Sequence, residues 1–234
     1  MRTKYYNFSK KDSKSADLYI YGEITPYKWD DSDVTANSFK EDLENLGDIE
    51  LLNIYINSPG GSVFEGQSIY SQLKRHKAIK KVYIDGISAS IASVISMCGK
   101  VYIPKNAMIM VHNASAFAEG NANDFRALAD VLDKVNQTIV EVYIEKTGLS
   151  EDKIKELMDK ETWLTGKEAV DLGFADELIE ENKISARYKS YDMQILNRYK
   201  NTPKSLLLHK KELTSKDEEK IKLLKSKLAL ECEL

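Results

Sequence analysis

LLNIYINSPGGSVFEGQSIYSQLKRHKAIKKVYIDGISASIASVISMCG (51–99) decides the fold. It opens with LLNIYINSPGG (51–61), an apolar, β-rich run stopped by Ser-Pro-Gly-Gly, which predicts a strand entering a tight turn. VFEGQSIYSQLKR (63–75) then has helical periodicity and KKVYIDGI (80–87) reads as a strand. ASIASVISMCG (89–99) reads as a helix of small and apolar residues closed by Gly99. The order β, α, β, α demands parallel pairing through crossover helices. Such crossovers are nearly always right-handed, so the expected fold class is α/β, with short units winding into a spiral.

Outward from this stretch, LYIYGEI (18–24) predicts a first strand. Ser32 to Asn45 predicts a helix that brings Phe39, Leu43 and Leu46 to one face. KVYI (100–103) and AMIMVH (107–112) supply further strands, a long helix is expected from about Asn123 to Thr147, and shorter ones at 150–159 and 165–172. GFADELI closes the domain near residue 180, which gives a catalytic-size domain over 1–180. From Lys183 to Lys227 the chain carries 13 Lys/Arg against 5 Asp/Glu, so 181–234 is expected to be a basic linker and tail. Within it Ser215 and Glu218 have capping-box spacing ahead of Ile221, Leu224 and Leu228, the pattern of a terminal amphipathic helix.

A net charge of −3 over 234 residues gives no general reason to expect a nucleic-acid or membrane partner. Cys98 and Cys232 form neither a disulfide framework nor a metal-ligand spacing, which fits a reducing compartment and predicts no metal. The first residues, MRTKYYNFSKKDSKSA, are polar where a signal peptide is apolar, and no segment approaches the ~20 apolar residues of a membrane span. The expected location is the cytoplasm. The absence of a Walker motif means that any ATP-driven step would come from a partner.

Three features carry possible chemistry. A serine hydroxyl is a poor nucleophile unless a base lies beside it and backbone N–H groups face the developing oxyanion. Ser90, in GISASIAS, follows a predicted strand at the first turn of a helix, where free amides and the helix dipole favour negative charge; taken alone, that place is ordinarily an N-cap. Gly60 and Gly61, after Asn57-Ser58-Pro59, read either as a sharp turn or as a place where a substrate backbone and an oxyanion approach closely. In the second case the amides of Gly61 and Ile91 are the two donors. Of the three histidines, His76 and His209 lie among charged residues, whereas His112 ends an apolar strand at the rim of the sheet, as a buried structural histidine or as a base.

Together INSPGGSV (56–63), GISASIAS (86–93), PKNAMIMVHN (104–113) and ETWLTGKEAVDLGFADEL (161–178) give the chain a resemblance to the Clp protease proteolytic subunit. The resemblance runs from about residue 16 to 180 and is strongest to the shorter phage-encoded relatives that act as head maturation proteases. It implies a Clp-protease and crotonase-like spiral of β-β-α units with a long handle helix at 123–147. Ser90 then falls on the family's nucleophile, rather than Ser88 or Ser93, and His112 on its histidine. The third member is usually an Asp, and here Glu161 stands in its place, before Trp163, with Asp159 as the alternative acid. Gly61 and Ile91 fall on the oxyanion donors, and Gly60, Gly61, Ser62 and Asn113 on the substrate-binding positions. No cofactor is implied.

The implied activity is that of an ATP-independent serine endopeptidase processing capsid or scaffold proteins, acting on protein or peptide substrates. The implied assembly is self-association into closed rings, stacked through the long helix. A host-type subunit working with an AAA+ unfoldase and a non-catalytic assembly protein are the competing expectations. The related crotonase activity, which stabilises a thioester enolate on paired amides, is favoured by nothing beyond those amides.

Overall fold

The strand–helix–strand–helix order expected from residues 51–99 is present, as β3 (Leu51–Ser58), α2 (Val63–Arg75), β4 (Ile79–Ala89) and α3 (Ile91–Ser96). The computed structural model describes residues 5–25, 36–180, 196 and 198–203. Before these elements come β1 (Tyr6–Lys10), β2 (Ser15–Tyr21) and α1 (Ala36–Glu44). After them come β5 (Lys100–Pro104), β6 (Met108–Val111), α4 (Ala122–Thr147), α5 (Glu151–Asp159), β7 (Thr162–Thr165), α6 (Gly166–Asp171) and β8 (Glu177–Ile179). The chain divides into two units, Met1–Thr202 and Pro203–Leu234, and every element named here lies in the first. The expected linker and terminal helix over 181–234, with His209 and Cys232, lie outside the described residues except for 196 and 198–203.

One sheet runs β1-β2-β3-β4-β5-β8, parallel from β2 onward, with β6 joining β4 and β7 joining β6. The strict alternation of β3 follows from its period of two. Leu52, Ile54 and Ile56 are wholly buried, while Tyr55 stands on the opposite face. There it stacks in register with Tyr19 of β2 and Tyr83 of β4, at ring separations of 4.9 and 5.2 Å, and Tyr83 stacks in turn on Tyr102 of β5 at 5.0 Å. Helices α2 and α3 cover the inner face, adding Ile69, Leu73, Ile91, Val94 and Ile95 to the core.

Two findings depart from the parallel alternation expected. β1 forms an antiparallel hairpin with β2, from Tyr6 opposite Ile20 to Lys10 opposite Ala16, and β7 runs antiparallel to β6. The helix expected from residue 89 begins at Ile91, because Ile87–Ala89 still pair with Met108–Met110 of β6.

The end of β4 fixes where α3 can begin. The first half of the strand pairs with β5 and its second half with β6, so it stands at a fork in the sheet. Against β3, the two steps from Ile56 to Ser58 match the four from Ile84 to Ser88, a bulge that lifts the end of β4 out of regular register. Asn57 fills the gap, its Oδ1 accepting from the Ile87 N–H at 3.1 Å.

α4 is fixed at its start by a reciprocal capping box between Asn121 and Asp124 and stopped by Gly148 in the left-handed conformation, φ 70°. Its fully buried residues, Ile139, Val140 and Tyr143, all lie in its second half. Of the described residues, no helix is long and apolar enough to cross a membrane.

Candidate active site

Ser90 is the single residue between β4 and α3, and the turn it makes is strained: φ 55°, ψ −131°. A side-chain-bearing residue in that region costs about 1–3 kcal/mol, tolerated where the surroundings over-determine it. Here they do. The Ser90 N–H donates to the Met110 carbonyl of β6 at 3.0 Å, and the Ser93 N–H returns to the Ser90 carbonyl at 2.9 Å. The turn lifts the Ser90 hydroxyl out of the sheet, as in the strand-to-helix elbows that carry nucleophiles.

β6 delivers His112 to the same point. Its Nε2 lies 2.7 Å from Ser90 Oγ, although the two residues are 22 apart in the chain. Burial pushes the imidazole below its ordinary pKa, and the nearby Glu161 charge partly opposes that shift. The neutral ring, with a nitrogen free to accept, is therefore the favoured form near pH 7. The neighbouring serines are committed elsewhere: buried Ser88 bonds Ser96 at 2.7 Å, and Ser93 bonds the Tyr143 hydroxyl at 2.7 Å and the Ser90 carbonyl at 2.5 Å.

The glycine turn after β3 packs directly on this elbow. A Cβ on Gly60, φ 94°, would stand 2.7 Å from both the Ala89 carbonyl oxygen and Ser90 Cβ; one on Gly61, φ 147°, would meet the Ile24 carbonyl oxygen at 2.0 Å. Ile24 bridges this turn in parallel fashion, donating to the Gly60 carbonyl and accepting from the Ser62 N–H, each at 2.8 Å. In a parallel bridge the central residue's own N–H faces the other way. Gly61 thus turns its N–H away from Ile24, and among the described residues neither it nor the Ile91 N–H at the start of α3 has an acceptor. Ser62 is the N-cap residue of α2 without a side-chain capping bond.

The two candidate acids sit differently. Asp159 accepts from Asn113 Nδ2 at 2.7 Å, so Asn113 is engaged with the end of α5. Glu161 occupies the left-handed turn between α5 and β7, φ 49°. Its carboxylate accepts the backbone N–H groups of Lys200, at 2.9 Å, and Asn201, at 2.6 Å. Its charge reaches His112, but among the described residues His112 Nδ1 has no hydrogen-bond partner.

The sequence reading missed Tyr199. From the segment expected to be a linker, its ring meets His112 edge-on at 5.1 Å and Trp163 at 6.0 Å, and its hydroxyl donates to the Pro59 carbonyl at 2.5 Å. The phenol is buried, which pushes its pKa up to about 12, an upward shift that the neighbouring Ser90 partly offsets. The sequence signal was faint: an aromatic residue with a polar tip inside a basic run. No group of three or more potential metal ligands occurs among the described residues.

Comparison with known proteins bears on this geometry. The Clp protease family profile matches residues 24–182, which include every element from α1 to β8. The ATP-dependent Clp protease proteolytic subunit 1 of Chlamydia abortus is 34% identical over 157 residues, covering 62% of this chain and 82% of that protein. Its counterpart in Chlamydia trachomatis serovar D is 32% identical over the same length and shares. That of Protochlamydia amoebophila is 30% identical over 185 residues, covering 74% of this chain and 90% of the relative. With the family profile matched over residues 24–182, well over half of the chain, and an α/β fold across that stretch, the protein belongs to the Clp protease family.

Proposed function

We propose that the chain is a serine endopeptidase of Clp type in which Ser90 is the nucleophile, His112 its general base and Glu161 the acid that orients the imidazole. The 2.7 Å approach of His112 Nε2 to Ser90 Oγ at a strained strand-to-helix turn carries the reading. In acylation, Ser90 Oγ attacks the scissile carbonyl carbon while His112 Nε2 takes its proton. The oxyanion forms against the Gly61 and Ile91 amides. Collapse breaks the C–N bond as His112 passes the proton to the departing amine. Water then repeats the sequence on the acyl-enzyme and regenerates the serine. Loss of hydrolysis of a fluorogenic peptide in Ser90→Ala, with an unchanged circular dichroism spectrum, is the expected result. Retention of parental turnover by that variant sinks the reading.

The active assembly in this reading is a closed ring, two of them stacked through α4. The first half of α4 supports it: Phe125 and Val131 are about half exposed, at 50% and 49%, on a face where Leu128, Leu132 and Val135 are only partly covered. Substrates would be protein chains that enter the chamber. The basic tail favours the processing of capsid or scaffold proteins without ATP. The names of the relatives, all ATP-dependent Clp proteolytic subunits, favour a second reading, a subunit fed by an AAA+ unfoldase. Degradation of a folded protein only when an unfoldase and ATP are added selects the second; cleavage of an unfolded capsid-type substrate by the chain alone selects the first.

A further inference from the structure

The segment that contains Tyr199 occupies the space a substrate needs. Attack requires a carbonyl carbon roughly 3–3.5 Å from the serine oxygen. Here the Tyr199 phenol bonds the Pro59 carbonyl, and its ring stands edge-on to Trp163 and to His112, the residue whose Nε2 holds Ser90 Oγ. The next two residues act on Glu161, whose carboxylate oxygens are taken one each by the Lys200 and Asn201 N–H groups. One short segment thus covers the nucleophile and detains the acid that would otherwise face His112 Nδ1.

Its attachments are those of an occupant that can leave. Arg198 reaches Glu23 at 3.3 Å with both side chains about half exposed, an ion pair of little strength. Asn201 Nδ2 donates to the Lys160 carbonyl at 2.7 Å at an exposed position. The Trp163 indole N–H beside the Tyr199 ring is buried and has no acceptor among the described residues. Behind it, buried Leu196 and the Thr202 hydroxyl, which donates to the Leu196 carbonyl at 2.6 Å, close the segment on itself.

We propose that the groove bounded by His112, Trp163 and the Pro59 carbonyl is a receptor for an aromatic side chain, that Tyr199 fills it in cis, and that residues 198–201 thereby hold the catalytic pair closed until a protein substrate displaces them. This rests on the serine-peptidase reading. It makes the site self-shielded and gives an advantage to chains that bring their own aromatic residue to the groove.

The test is the rate at which a fluorophosphonate probe modifies Ser90 in the full chain, followed by mass spectrometry. A site closed nine-tenths of the time reacts at about a tenth of its open rate, so Tyr199→Ala should speed labelling about tenfold or more, with Tyr199→Phe between it and the parent. Asn201→Pro, which removes the N–H held by Glu161 and leaves the groove intact, should also speed it. Adding the peptide LNRYKNTP (196–203) to Tyr199→Ala should slow labelling again, and the same peptide with Ala in place of Tyr should not. If Tyr199→Ala and Asn201→Pro, both folded by circular dichroism, label Ser90 no faster than the parent, the shielding role is wrong while the peptidase reading stands. If Ser90 is labelled in none of these proteins, both are wrong.

Discussion

Replacing Gly60 with alanine isolates the contact between the glycine turn and the nucleophile elbow. The added Cβ would stand 2.7 Å from Ser90 Cβ and from the Ala89 carbonyl oxygen, against the 3.4 Å at which ordinary contact begins, so one side must give by about 0.7 Å. The φ of 94° adds a backbone penalty of about 1–2 kcal/mol for any residue with a Cβ. Relief of the overlap adds about 1 kcal/mol or more, the low end of the cost of overpacking. Unfolding free energy should therefore drop by about 2–3 kcal/mol, which lowers Tm by roughly 2–4 °C per kcal/mol in a domain of this size. Activity should suffer more than stability. A displacement near 1 Å at a reacting group can cost about a hundredfold, so kcat on a fluorogenic peptide should fall about 30- to 100-fold at a temperature where the variant remains folded. Denaturant titration with a parental m-value, paired with steady-state kinetics, separates the two effects. A Gly60→Ala protein with parental kcat would refute the claim that this glycine sets the position of Ser90.

Burial lowers the His112 pKa, so the acid limb of kcat/KM should fall at a pH below the ordinary histidine value of about 6.5, and in Tyr199→Ala, where solvent reaches the ring, it should move back up toward that value. The same shift makes the unfolded chain bind the proton more tightly. The contribution of His112 to stability is thus present above the unfolded pKa and lost as pH falls through the folded one, and His112→Gln should flatten that part of the stability profile. Glu161→Gln should lower kcat about a hundredfold or more, while Asp159→Asn should stay within about threefold; the reverse order in steady-state kinetics would move the orienting role to Asp159. Phe125→Glu together with Leu132→Glu should shift light scattering from a ring toward the 26.6 kDa monomer, and a parent that is itself a fully active monomer would remove the ring from the account.

Much of the fold was legible because residues 51–99 switch cleanly between periods of two and 3.6. The hairpin strand β1 was not, since YNFSK is short, polar and set in a charged stretch that reads as a solvated terminus. β7 and β8, four and three residues long, are held by register with β6 and β5 and not by any pattern of their own. At the site, a serine after a strand and a histidine ending one were visible as types in suggestive places. That they meet at 2.7 Å depends on the bulge between β3 and β4 and on the pairing of β4 with β6, which are tertiary facts. Ser90 was set apart from Ser88 and Ser93, two and three residues away, only by its place in the family resemblance; the structure adds the 2.7 Å contact of Ser90 with His112 and the bonds that commit Ser88 to Ser96 and Ser93 to Tyr143. Tyr199 was illegible because the basic composition around it says nothing about where that segment docks.

The most direct test of the central claim is to map the adduct left by a fluorophosphonate probe after exhaustive labelling. The account predicts a single modified residue, Ser90, with labelling slowed at least a hundredfold in His112→Ala and abolished in Ser90→Ala. An adduct on Ser88 or Ser93, or parental peptide hydrolysis by a protein whose Ser90 is fully blocked, would contradict it.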